Sequence, residues 1–66
     1  MKVDTYTRLL WLADHPDANA KEMAYEFKVS ANAVRLWAAR LFSDKVLERR
    51  ALGGMVLWRV RDDVRL

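Results

Sequence analysis

The 66-residue sequence predicts an α+β domain in which three helices are followed by a β-hairpin. Apolar residues recur at helical spacing up to about position 42, and capping residues at Asp4-Thr5, Asn19 and Ser30 divide that stretch into three. From position 46 the pattern changes to period two, with branched and aromatic residues on both sides of Gly53-Gly54, the signal for a tight hairpin turn.

Behind the first cap, Tyr6, Leu9, Leu10 and Ala13 form the predicted inward stripe of helix one, with Trp11 off that stripe and free for a partner interface. Pro16 disfavours helical geometry at His15 and removes an amide donor, so the helix should stop near Asp14 or His15. Asn19-Ala20-Lys21-Glu22 has the cap and third-position carboxylate of a capping box, which starts helix two, and Met23, Ala24 and Phe27 give it one buried face. Only Lys28-Val29 separates it from the Ser30 cap of helix three, predicted over residues 31–43 with Val34, Trp37, Ala38 and Leu41 inward and Phe42 at the edge. Two helices joined so closely must cross sharply, as in a helix-turn-helix. In the hairpin of residues 46–60, Leu47 and Arg49 share a face with Val56, Trp58 and Val60, and that face should cover the helices. Glu48, Arg50, Met55, Leu57 and Arg59 belong to the other face. Residues 1–61 make one domain, and the tail of 62–66 is expected to fray.

A single small domain is all that this length allows, and it leaves a thin core with little room for a deep substrate cavity. The absence of cysteine excludes disulfides, thiolate nucleophiles and cysteine-ligated metals. No apolar run approaches the roughly 20 residues of a membrane helix, and Met1-Lys2-Val3-Asp4 has no leader-like apolar region, so a soluble cytoplasmic protein is expected, with no membrane partner.

Net charge is +3, but its distribution is uneven. Residues 1–27 hold three basic and five acidic residues, a net −2, and residues 62–66 add −1. Residues 28–61 hold eight basic residues against Asp44 and Glu48, a net +6, which predicts a face made for an anion.

Ala20-Lys21-Glu22-Met23-Ala24, Phe27-Lys28-Val29-Ser30, Val34-Arg35, Leu41 and Val46-Leu47-Glu48-Arg49 together resemble the winged helix-turn-helix of bacterial transcription regulators. The resemblance implies that Ala24 is the small residue at the helix crossing, Val29 the buried turn residue and Ser30 the cap of the recognition helix. The wing residues Gly53-Gly54-Met55-Val56-Leu57-Trp58, with the short length, are similar to those of the small fimbrial (pilus) operon regulators, which implies association with a larger DNA-bound partner. Lys28 departs from the pattern, because a glycine commonly takes the left-handed turn there. A non-glycine residue costs on the order of 1 kcal/mol or more, so a reshaped turn is expected.

Stepping 100° per residue from Val34 places Asn32, Leu36 and Ala39 on the outer side of helix three, flanked by Arg35 and Arg40. Such a face suits the major groove of duplex DNA. Asn32 matches adenine, Arg35 or Arg40 guanine, and Leu36 and Ala39 thymine methyl groups. Arg50, Arg59 and Lys28 are the expected phosphate contacts from wing and turn, with Arg49 added at the wing tip. A sequence-specific DNA-binding transcriptional regulator is therefore the leading expectation, with a homodimer as a further one because a single recognition helix reads few base pairs.

The alternative is a protein–protein adaptor that binds another regulator or a DNA-bound complex, since Leu36, Leu52, Met55 and Leu57 expose more apolar surface than phosphate binding requires. A protein co-regulator is the corresponding partner. An enzyme is not expected. His15 with Asp14 and Asp17 lacks the ligand count of a metal site, Glu22 and Glu26 have no nucleophile or base beside them, and Gly53-Gly54 precedes no helix that would cradle a phosphate. No metal or cofactor is called for.

Overall fold

Each helix begins where a side chain is available to accept a backbone N–H that the helix itself leaves unpaired. In the computed structural model, which describes residues 4–66, helix α1 runs over Thr5–Asp14 and the Asp4 carboxylate accepts from the Thr7 N–H at 2.8 Å. That bond holds the Asp4 carboxyl below its ordinary value. Helix α2, Ala20–Phe27, starts with a complete capping box: Asn19 accepts from the Glu22 N–H at 2.9 Å, and Glu22 accepts from the Asn19 N–H at 3.0 Å. Helix α3, Ala31–Ser43, is capped by the Ser30 hydroxyl, which accepts from the Ala33 N–H at 3.0 Å. The start Met1-Lys2-Val3, read above as free of a leader, lies outside the described residues.

The sheet has three strands rather than the two of a simple hairpin. Strand β1 is Ala18–Asn19, β2 is Leu47–Leu52 and β3 is Met55–Val60, in the antiparallel order β1-β3-β2. Two residues have no alternation to read, so β1 leaves no trace in the sequence. It exists because Ala18 and Asn19 pair with Trp58 and Leu57, just before the chain turns into α2. The hairpin has the pairing parity expected, and a two-residue turn sets its register, with Leu47 opposite Val60, Arg49 opposite Trp58 and Ala51 opposite Val56. Gly53 and Gly54 at φ of 57° and 81° supply the left-handed backbone that the turn needs.

The turn between α2 and α3 is not reshaped. Lys28 itself takes the left-handed conformation at φ 58°, and the Val29 N–H donates to the Ala24 carbonyl at 3.1 Å, which closes the helix in a Schellman-type cap. Helix α3 ends alike: Lys45 stands at φ 62° and the Val46 N–H donates to the Leu41 carbonyl at 2.9 Å. Two lysines thus occupy positions where glycine would be unstrained.

Leu12, Met23, Val34 and Leu47 are the largest fully buried side chains, with Leu9, Phe27, Ala38 and Trp58 around them. The face of α1 differs from the expected stripe. Leu9 and Leu12 point inward, whereas Tyr6 and Leu10 are 55% and 42% exposed and Ala13 is exposed as well. Trp11 is half-buried against the core, edge-on to Phe27 at 5.5 Å and stacked on His15 at 4.1 Å, rather than free for a partner. The run Leu9-Leu10-Trp11-Leu12-Ala13 is apolar all round, so periodicity could not set its phase. After β3 the Arg61 N–H donates to the Val46 carbonyl at 3.0 Å, and in the tail Asp62 and Asp63 pair with Arg59 and Arg61, Val64 is half-buried and the other residues are exposed.

Candidate nucleic-acid interface

Burying Val34 and Ala38 turns Asn32, Leu36, Ala39 and the flanking Arg35 and Arg40 to solvent, and all five are exposed. Neither arginine has a carboxylate within 4.0 Å among the described residues. On one side of this face the wing rises. Between α3 and the inner face of the hairpin lies a groove of about 500 Å³, lined by Arg35 and Ala39 of α3, Arg49 and Val56 of the wing, and Asn19 to Lys21 at the start of α2, with Met55, expected on the other face, reaching it from beside the hairpin turn. Its three ionisable side chains are Lys21, Arg35 and Arg49; none of its lining residues is acidic. Arg49 is set in place by aromatic rings, its guanidinium carbon 4.2 Å from the Phe42 centroid and 5.7 Å from that of Trp58. Cation–π contact fixes the stem and leaves the N–H donors without a carboxylate partner.

The outer face of the sheet is built differently. Arg50 pairs with Asp17 at 3.0 Å, and Arg59 with Glu48 at 3.1 Å and Asp62 at 3.3 Å. The two wing arginines expected at phosphates therefore sit among three carboxylates, on the side of the sheet away from the groove. Strand alternation sends Arg49 and Arg50 to opposite faces, and the α1–β1 loop brings Asp17 to the outer one. Lys28 is exposed in the turn before α3, outside the groove.

Lys21 was not among the sequence candidates. It reaches the groove because β1 ties Asn19 to Leu57 and so starts α2 beside the wing, a placement with no sequence signal beyond the capping box. Arg8 lies outside the groove. It is half-buried, with its guanidinium carbon 5.2 Å from the Phe27 centroid and 5.5 Å from that of Trp37. His15 caps α1 and its Nδ1 lies 2.8 Å from the Trp11 carbonyl oxygen. Among the described residues no group of three or more His, Asp or Glu side chains is placed to hold a metal ion, and no helix is long and apolar enough to cross a membrane.

Three helices, a tight left-handed turn between the second and third, and an antiparallel hairpin rising beside the third define a winged helix-turn-helix. Solved structures share this fold. The chain is similar to a predicted DNA-binding transcriptional regulator from E. coli, with a TM-score of 0.77 and 20% identity over 85% of this chain. It is also similar to a mutant of ZitR from Lactococcus lactis, with a TM-score of 0.72 and 21% identity over 82% of this chain. The chain spans 59% and 38% of the lengths of those two proteins. No protein-family model and no curated protein matches it.

Proposed function

We propose that this chain binds duplex DNA as a transcriptional regulator, with α3 in the major groove and the hairpin as a wing along the adjacent backbone. The observation that carries the reading is the groove between them, where Lys21, Arg35 and Arg49 converge without a carboxylate. Cations gathered around a concave surface raise the local potential and suit a polyanion, and a B-DNA major groove is wide enough to admit the helix. One solved neighbour supports it, being described as a predicted DNA-binding transcriptional regulator. Arg40 and Lys28, exposed beside the same helix, extend the phosphate contacts. A second copy of the chain would double the short site that one recognition helix reads.

The test is a titration of labelled duplex followed by fluorescence anisotropy at several salt concentrations. Three phosphate contacts predict a slope of log K against log salt of about −3 or steeper, at about −0.9 per contact. Absence of binding at low salt and micromolar protein would overturn the reading. If an added cell extract then restored binding, the adaptor role would replace it.

A further inference from the structure

The middle of the α3 face is apolar, and its cations stand to the sides. Leu36 is 67% exposed, so its hydrocarbon side chain stands in the surface that the flanking cations border. Asn32, Leu36 and Ala39 follow one another at helical spacing on the side opposite Val34 and Ala38. From position 32 to 39 the helix rises about 10 Å, which matches about three base-pair steps at 3.4 Å. Arg35 lies toward the wing, where it lines the groove, and helical geometry puts Arg40 on the other flank. A duplex seated here meets one amide and two hydrocarbon side chains along the centre line, with a cation on each edge.

The chemistry of the major groove narrows what that centre line can read. Every base edge there presents hydrogen-bonding groups, and only thymine adds an apolar one, its C5 methyl. Leu36 set against guanine or cytosine would leave N7, O6 or N4 desolvated without a partner, whereas against thymine it buries a methyl group. Asn32, in the first turn of α3, offers an amide that matches adenine N6 and N7. We propose that α3 reads a run of about three A·T pairs, with thymine methyls on Leu36 and Ala39 and an adenine on Asn32. Arg35 and Arg40 grip the backbone on either side instead of forking onto guanine at the centre. The inference rests on the DNA-binding reading and names the sequence class that the site takes.

The experiment starts with selection of sites from a random duplex pool by the purified protein. Each thymine of the selected site is then replaced singly by deoxyuridine, which removes only the C5 methyl group, and binding is compared for the native chain and Leu36→Ala. The selected sites are expected to carry an A·T run at their centre. At one position deoxyuridine should weaken native binding about fourfold, the value of one buried methyl group. Leu36→Ala should bind thymine and deoxyuridine equally there, with an unchanged salt slope; since Leu36 is exposed, its melting temperature should stay near that of the native chain. Recovery of no duplex at all defeats the DNA-binding reading and this inference with it. Binding to G·C-centred sites, or indifference to deoxyuridine at every position, overturns the inference alone. A deoxyuridine loss of equal size in both chains removes Leu36 from the role.

Discussion

On the inner face of the wing, Arg49 shares a groove with Lys21 and Arg35 and no acidic residue; on the outer face, Arg50 and Arg59 are surrounded by Asp17, Glu48 and Asp62. Neighbouring arginines in one strand thus end in opposite electrostatic settings. The inner trio carries +3, while the outer five residues sum to −1. A net +6 over residues 28–61 counts both faces as one, and it also omits Lys21, Asp17 and Asp62, which reach the wing from outside that segment. Free cations, rather than total cations, are what a phosphate backbone meets. The outer pairs brace the wing against the α1–β1 loop and the tail, each contributing about 0–1 kcal/mol as exposed ion pairs do.

If the inner face is the interface, its cations should dominate binding. Arg49→Ala is expected to have the largest effect. A charge-assisted hydrogen bond of about 1.5–3 kcal/mol corresponds to roughly a 10- to 100-fold loss of duplex affinity. The same change removes the guanidinium from Phe42 and Trp58, so thermal unfolding should also show a stability loss of about 1 kcal/mol. Arg35→Ala, exposed and without aromatic contact, should weaken binding about tenfold with melting unchanged, and should flatten the salt slope by about one. Anisotropy titrations across salt concentrations read both, and an unchanged slope in either variant would take that residue out of the interface.

Most of the fold was legible because each element has a local cause. Asn19 and Ser30 cap helices wherever the chain turns, and the period-two pattern about Gly53-Gly54 fixes which side of each strand faces the helices. What was not legible depends on partners distant in sequence. Strand β1 is defined by Trp58 and Leu57 some forty residues away, and from it follows the arrival of Lys21 in the groove. The phase of α1 was ambiguous because five consecutive apolar residues satisfy any stripe, and the packing of Leu12 decided it. Of the candidate site, the α3 residues Asn32, Arg35, Leu36, Ala39 and Arg40 were readable from one buried position, Val34. The pairing state of Arg50 and Arg59 was not, since Asp17 and Asp62 come from a loop and the tail.

The turn residue offers a smaller effect that separates charge from backbone. Lys28 and Lys45 both hold left-handed geometry, where a lysine costs on the order of 1 kcal/mol relative to glycine. Lys45→Gly should therefore raise stability by up to about 1 kcal/mol and leave DNA affinity alone, as Lys45 follows the C-terminal end of α3, the opposite end from the turn that Lys28 occupies. Lys28→Gly should give a similar gain in stability together with a few-fold loss of affinity and a flatter salt slope. Thermal melts and titrations on the same two variants sharpen the assignment. Equal affinities would leave Lys28 a structural residue only.

The smallest effect belongs to the outer face, and it tests the contrast most directly. Arg50 is 63% exposed, so its pair with Asp17 at 3.0 Å is weak by itself, and Arg50→Ala should lower stability by no more than about 1 kcal/mol. Its duplex affinity should stay within about twofold of native, because the guanidinium faces away from the groove and is already matched by a carboxylate. Asp17→Asn removes that carboxylate while keeping a residue type that tolerates the left-handed backbone at φ 67°. It releases Arg50 without disturbing the loop, so any gain in affinity should vanish in the Asp17→Asn, Arg50→Ala double variant. Were Arg50→Ala instead to weaken binding as much as Arg35→Ala, phosphates would reach the outer face too, and the ion pairs there would be a resting state that DNA displaces rather than a brace for the wing.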